Sequence, residues 1–221
     1  MKFFLDSALV GEIAHALEMW RLDGVTTNPR HVSVAGRPFL TTIREIAGLF
    51  AGTDKPISVE VNPHHDDYKA MVAEGEKLAA MSPNFVIKLP ATEAGFKAVE
   101  VLKEKGIRSN LTLVFSAGQA LQAMRMGAYF VSPFIGWKES NAEETMRFVE
   151  ETVAIRDNYG FTTEIIVAAV RNGRQIVDAA VAGADIVTAG FAVYQDTFDH
   201  PYTHVGLAKF ASFWDQTPYE E

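Results

Sequence analysis

Asn84-Phe85-Val86-Ile87-Lys88-Leu89-Pro90-Ala91-Thr92 carries an apolar run between Pro83 and Pro90, with a lysine set inside it. Such a run reads as a strand buried on both faces, as in a parallel sheet covered by helices. An ammonium in that setting costs several kcal/mol unless a carboxylate pairs with it or it sheds its proton. Desolvation pushes a lysine pKa down from about 10.4. A neutral amine at the end of a buried strand is what imine formation on a ketone or aldehyde needs. The strand alone leaves two readings of Lys88 open: a Schiff-base nucleophile, or half of a structural ion pair.

Outward from this stretch the chain repeats one idea. Short β-rich runs lie at Lys2–Leu5, Gly24–Thr27, Ile57–Val61, Phe85–Leu89, Ser109–Val114, Tyr129–Pro133, Thr163–Ala168 and Asp185–Thr188. Between them fall segments with helical spacing, such as Ala70, Met71, Ala73, Leu78 and Ala79. Each strand plus helix takes roughly 25 to 30 residues, the size of a βα unit. Eight units in 221 residues predict a closed (β/α)8 barrel of the TIM type. A dinucleotide-binding sheet would need a glycine-rich loop after its first strand, where this chain reads Asp6-Ser7-Ala8-Leu9-Val10-Gly11. No linker or low-complexity stretch divides the chain, so residues 1–221 read as one barrel domain. Phe191–Thr197 supplies the eighth helix, and residues 203–214 an appended C-terminal one. The apolar stripe of that last helix, Val205, Leu207, Phe210, Phe213 and Trp214, has to cover the outside of the barrel or dock on another subunit.

Composition excludes several classes. The chain has no cysteine, which removes disulfides, thiolate metal sites and cysteine nucleophiles and fits a cytoplasmic protein. A formal charge of −8 argues against a nucleic-acid binder and requires a local basic cluster for any anionic substrate. No run approaches the roughly 18 apolar residues of a membrane span, and Asp6 arrives too early for a signal peptide. His64 and His65 read as a solvated helix start and His200 with His204 as a helix entry at Pro201, so no metal site is expected.

In a barrel, chemistry belongs at the C-terminal ends of the strands. Those ends carry Asp6, Thr26 to Asn28, Glu60 with Asn62, Lys88, Asn110 with Thr112, Ser132, and Arg171 just past strand seven. Each has an ordinary explanation alone; Asp6 could cap a helix and Asn28 could start a turn at Pro29. Together they place an amine, two carboxylates and several small hydrogen-bonding groups around one mouth, the parts of an imine-forming site.

These residues resemble the transaldolase family along the whole chain. The resemblance rests on Phe4-Leu5-Asp6, Gly24-Val25-Thr26-Thr27-Asn28-Pro29, Val86-Ile87-Lys88-Leu89-Pro90, Asn110-Leu111-Thr112, Ser132-Pro133-Phe134, Arg174-Gln175, and Ala182 through Thr188. The length is similar to the compact branch of fructose-6-phosphate aldolases and small transaldolases. The resemblance implies that Lys88 forms the imine and that Asp6 takes the proton from the C4 hydroxyl. Glu60 and Thr112 would hold the shuttling water. Thr26, Asn28, Asn110 and Ser132 belong to the substrate pocket, the last three bonding the dihydroxyacetone hydroxyls. The partners implied are a ketose donor and an aldehyde acceptor, with no metal or other cofactor. The aldolase branch carries glutamine at the Glu60 position and tyrosine at the Phe134 position, so this chain has the transaldolase residue at both.

Family members acting on sugar phosphates place an arginine five residues after the Ser132 position and a Ser-Phe-Arg triplet after strand seven. Here the first position is Trp137, and the triplet reads Ala169-Val170-Arg171. A guanidinium–phosphate contact is strong and charge-assisted, whereas an indole offers one neutral N–H and an apolar face. Either Lys138 or Arg174 takes over and the substrate remains a phosphate, or the C6 group is a different one. A sulfonate suits one arginine plus neutral donors. Gly136-Trp137-Lys138 also resembles a transaldolase branch acting on 6-deoxy-6-sulfofructose. The remaining alternatives are an aldolase that releases free dihydroxyacetone and a sugar-binding barrel without catalysis.

Overall fold

A computed structural model of the protein describes residues 1–219. The chain opens with β1 (Lys2–Asp6), α1 (Val10–Met19), β2 (Gly24–Thr26), α2 (Pro29–Ala35) and α3 (Phe39–Leu49). It continues through β3 (Ile57–Glu60), α4 (Tyr68–Ala79), β4 (Phe85–Pro90), α5 (Glu93–Glu104), β5 (Ser109–Val114) and α6 (Ala117–Met126). Then come β6 (Phe130–Pro133), the short α7 (Ile135–Ser140), α8 (Met146–Tyr159), β7 (Glu164–Val170) and α9 (Gly173–Val181). The last elements are β8 (Ile186–Ala189), α10 (Phe191–Phe198) and α11 (Pro201–Trp214). The eight strands are parallel, and β8 pairs back onto β1 to close the barrel in sequence order. The expected (β/α)8 architecture is therefore the observed one, with α11 beginning at Pro201 because His200 caps it.

On several strands the barrel interior changes chemistry within two residues. Phe4, Val86, Phe130, Ile166 and Ile186 form a buried apolar cluster of their own inside the barrel. Side chains two positions on return to the same face, about 6.6 Å higher. Those next positions are Asp6, Lys88, Ser132, Ala168 and Thr188. An apolar layer thus lies directly beneath a polar mouth, and a one-residue register slip would turn both away from the interior.

Two strands interrupt this alternation. Between Leu111 and Val114, β5 holds one more residue than β6 opposite, and β7 does the same against β8 between Val167 and Val170. Within these bulges Leu113 and Ala169 adopt left-handed backbone, both at φ 59°. For a non-glycine residue this costs ~1–2 kcal/mol. The extra residue in β7 reverses the in–out parity of the strand beyond it, so Arg171, odd-numbered while Ile166 and Ala168 are even, comes onto the mouth.

Outside, the helices seal the sheet. Thr92 caps α5 by accepting from the Gly95 N–H at 3.1 Å, which ends the opening stretch cleanly. Gly95 lets α5 start hard against β4, since a Cβ there would sit 1.9 Å from the Pro90 carbonyl oxygen. The hydroxyl of Tyr194 on α10 donates at the β1–β8 seam, where the Phe4 and Val187 carbonyls lie 2.9 and 3.1 Å away. Burial, reinforced by the charge of Asp6, pushes that phenol far above its usual range. Helix α11 behaves differently. It has no buried residue, and Leu207, Phe210 and Trp214 are 61, 71 and 63% exposed. Packing on its own barrel, one of the two expected fates of its stripe, is not what the structure has. The barrel core is already covered before the chain reaches α11. Among the described residues no helix is long and apolar enough to cross a membrane.

Candidate active site

A cavity of about 500 Å³ opens at the C-terminal mouth of the barrel, lined by Lys88, Asp6, Glu60, Thr112, Ser132 and their neighbours. Its centre is built by register. Glu60, Lys88 and Asn110 are paired positions on β3, β4 and β5. The Lys88 ammonium lies 3.1 Å from a Glu60 carboxylate oxygen and donates to the Thr27 carbonyl, also at 3.1 Å. Its side chain is 5% exposed, that of Glu60 13%, so the pair is held away from bulk water yet faces the cavity. Lys88 is thus ion-paired and also poised on a substrate-sized space; the two readings of its strand are not exclusive.

Asp6 stands across the mouth. Its Oδ1 accepts from the Thr26 hydroxyl at 2.7 Å, and Thr26 is 2.6 Å from the Thr188 hydroxyl. Asp6 does not cap the next helix, where Leu9 holds the cap position. His31 Nδ1 lies 3.4 Å from the same carboxylate oxygen and is a buried ring nitrogen without a hydrogen-bond partner. The Thr112 hydroxyl is likewise buried and unpartnered on the cavity wall. A buried polar atom without a partner costs about 1–3 kcal/mol, so each is a place where a water or substrate oxygen is favoured.

The polar residues differ in how committed they are. Asn110 is fully buried: its amide donates to Ser58 at 3.0 Å and accepts from Ser132 at 2.8 Å, placing it behind the wall that Ser132 lines. Asn28 lines the cavity but also caps α2, accepting from the His31 N–H at 3.0 Å with Pro29 in the first helical position. Asn62 accepts from the His64 N–H, and His65 pairs with Glu74 at 2.9 Å. Among the described residues no group of three or more His, Asp or Glu side chains is arranged to hold a metal ion.

The rim is looser. Trp137, on the first turn of α7, is 56% exposed and sits edge-on to Phe134 at a centroid distance of 6.0 Å. Gly136 lets α7 press against β7, since a Cβ there would fall 2.1 Å from the Ala169 carbonyl oxygen and 2.9 Å from Arg171 Nε. Arg171 donates to the Ser140 hydroxyl and has no carboxylate partner among the described residues. Lys138 is paired with Glu143 and Arg174 with Asp178, and neither lines the cavity. Sequence reasoning missed Arg30 and His31, which do. Two consecutive basic residues directly after the Asn28-Pro29 turn were the available signal.

The model of the transaldolase/fructose-6-phosphate aldolase family matches residues 3–218. The chain belongs to this family. It is an enzyme of the transaldolase kind. Its similarity to a 6-deoxy-6-sulfo-D-fructose transaldolase of Priestia megaterium is 56% identity over 98% of this chain and 96% of that protein. A probable transaldolase of Geotalea daltonii is 45% identical over 99% of this chain and 100% of its own, and one of Aquifex aeolicus 46% over 99% and 98%. A thiamine phosphate pyrophosphorylase from Pyrococcus furiosus has a TM-score of 0.60 at 14% identity, covering 85% of this chain and 84% of that one, a likeness of fold alone. Transaldolases move a ketol group between sugars, and this mouth is furnished with an amine and two carboxylates.

Proposed function

We propose that this protein is a Schiff-base transaldolase. It moves a dihydroxyacetone unit from a ketose with an anionic C6 group, 6-deoxy-6-sulfofructose, to an aldehyde acceptor such as glyceraldehyde 3-phosphate. The observation that carries the reading is the Lys88–Glu60 pair on the cavity wall, opposite Asp6. Glu60 is placed to take the ammonium proton, freeing the Lys88 amine to attack the C2 carbonyl. The carbinolamine then loses water, with the proton carried by a water held between Glu60 and the unpartnered Thr112 hydroxyl. Asp6 removes the C4 hydroxyl proton, the C3–C4 bond breaks, and its electrons flow into the protonated imine to give an enamine. A three-carbon sulfonated aldehyde leaves. The enamine attacks the acceptor carbonyl, Asp6 returns its proton to the new alkoxide, and water hydrolyses the imine to restore Lys88.

Donor choice rests on the rim. Arg171 is the cation set against α7, the helix that carries Trp137, whose indole N–H has no partner among the described residues, and a monoanion needs no more than this. The similarity to the Priestia megaterium enzyme supports the same donor. Phe134 lacks the hydroxyl that would help protonate and release the three-carbon fragment, so the fragment waits on Lys88 for an acceptor. The wider reading is one barrel domain working in the cytoplasm as a homo-oligomer, with the exposed apolar face of α11 as the surface between copies. Release of the sulfonated aldehyde should be slow with 6-deoxy-6-sulfofructose alone and rise at least tenfold when glyceraldehyde 3-phosphate is added. Equal rates with and without acceptor would make the protein an aldolase instead.

A further inference from the structure

Donor and acceptor present different charges to the same place. In a closed eight-stranded barrel β4 lies opposite β8, so a ketose held at C2 by Lys88 extends its C6 end toward the arc β7–β8–β1–β2. The departing aldehyde occupies that arc, and the acceptor must occupy it afterwards. A sulfonate brings one negative charge, whereas a phosphate ester brings about 1.5 to 2. Arg171, at the β7 end of the arc, answers one charge. The second has to be met by another group, in a chain whose net charge of −8 gives no general attraction.

Arg30 stands at the other end of the arc, in the first turn of α2 after β2, and lines the same cavity. Other cations around this face are committed: Lys88 to Glu60, Arg37 to Glu45, Lys138 to Glu143 and Arg174 to Asp178. His31 faces Asp6. Arg30 has no ion pair and no hydrogen bond among the described residues, and it is exposed, so its side chain can approach a ligand without breaking a contact. The carboxylates on the cavity wall do not claim it, because Asp6 is held by Thr26 and Glu60 by Lys88.

We propose that Arg30 is the specificity residue for the acceptor, supplying the second positive charge that a phosphorylated aldehyde needs and the sulfonated donor does not. The proposal rests on the transaldolase reading above. The two half-reactions of a ping-pong enzyme have separate kcat/KM values, so donor and acceptor effects can be read apart. Arg30→Gln should lower kcat/KM for glyceraldehyde 3-phosphate by ~10-fold to 100-fold. It should lower that for 6-deoxy-6-sulfofructose by no more than about threefold, consistent with an optional contact to a monoanion. The preference for glyceraldehyde 3-phosphate over unphosphorylated glyceraldehyde should fall with the first of these values, and Arg30→Lys should restore part of it. An unchanged preference between the two aldehydes, or equal losses for donor and acceptor, overturns the role of Arg30 while leaving the transaldolase reading intact. A wild-type enzyme that makes no sulfonated aldehyde from 6-deoxy-6-sulfofructose with either acceptor overturns both.

Discussion

The floor of the mouth and its rim are built on opposite terms. On the floor, Lys88, Glu60, Asp6 and Thr26 are fixed by strand register and by mutual contacts of 2.7 to 3.1 Å, and Lys88 is almost wholly buried. On the rim, Arg30 has no partner among the described residues, Arg171 leans on one hydroxyl, and Trp137 is more than half exposed. Groups that make and break bonds have to be held in place before substrate arrives, because misplacement is costly in rate. Groups that choose among substrates need only reach the far end of the molecule, and there substitution is cheap. On the proposed mechanism the floor would carry the chemistry and the rim the choice of substrate.

The largest effect that would test this division is at Lys88. Lys88→Met should reduce transfer by ~10³-fold or more. It also strands the Glu60 carboxylate, so it should destabilise the fold by about 3–5 kcal/mol, and Lys88→Met with Glu60→Gln should recover most of that without recovering activity. A single variant retaining a tenth of wild-type turnover would make the pair structural. Next comes Asp6→Asn, expected to cost ~10²–10⁴-fold in cleavage while borohydride still traps the donor on Lys88. Loss of trapping along with cleavage would place Asp6 before the imine instead of after it.

On the rim, Trp137→Arg should raise the kcat/KM of fructose 6-phosphate relative to 6-deoxy-6-sulfofructose by about 10-fold to 100-fold, the worth of a charge-assisted contact of ~1.5–3 kcal/mol. If the ratio stays put, Trp137 is a packing residue and the rim does not set the donor. The smallest effect is expected from Phe134→Tyr, a several-fold rise in free dihydroxyacetone released without acceptor, measured enzymatically. No rise would mean that Phe134 plays no part in retaining the fragment.

Legibility followed the same division. The floor could be placed because a barrel gathers its strand ends at one mouth, so Lys88, Asp6 and Ser132, ambiguous singly, became candidates together. That Glu60 is the partner of Lys88 could not be read, since it depends on the register of β3 against β4. The committed amide of Asn110 was hidden for the same reason: its partners are Ser132 on the adjacent β6 and Ser58 on β3, one strand beyond β4. The bulges at Leu113 and Ala169 have no sequence signature, because neither residue favours the left-handed backbone it adopts. Arg30 and His31 escaped because the turn at Asn28-Pro29 explained its surroundings without them. The stripe of α11 was legible as apolar, but what such a stripe covers is decided by space left on the barrel, and none was left.

The central claim is that Lys88 carries the three-carbon unit between donor and acceptor. Incubating the wild-type protein with 6-deoxy-6-sulfofructose, reducing with borohydride and mapping the modified peptide tests it directly. The expected result is a reduced dihydroxyacetone adduct on Lys88, which disappears when glyceraldehyde 3-phosphate is added before the borohydride. Carbon–carbon cleavage that proceeds with no adduct on Lys88, or with the adduct on another lysine, would contradict it.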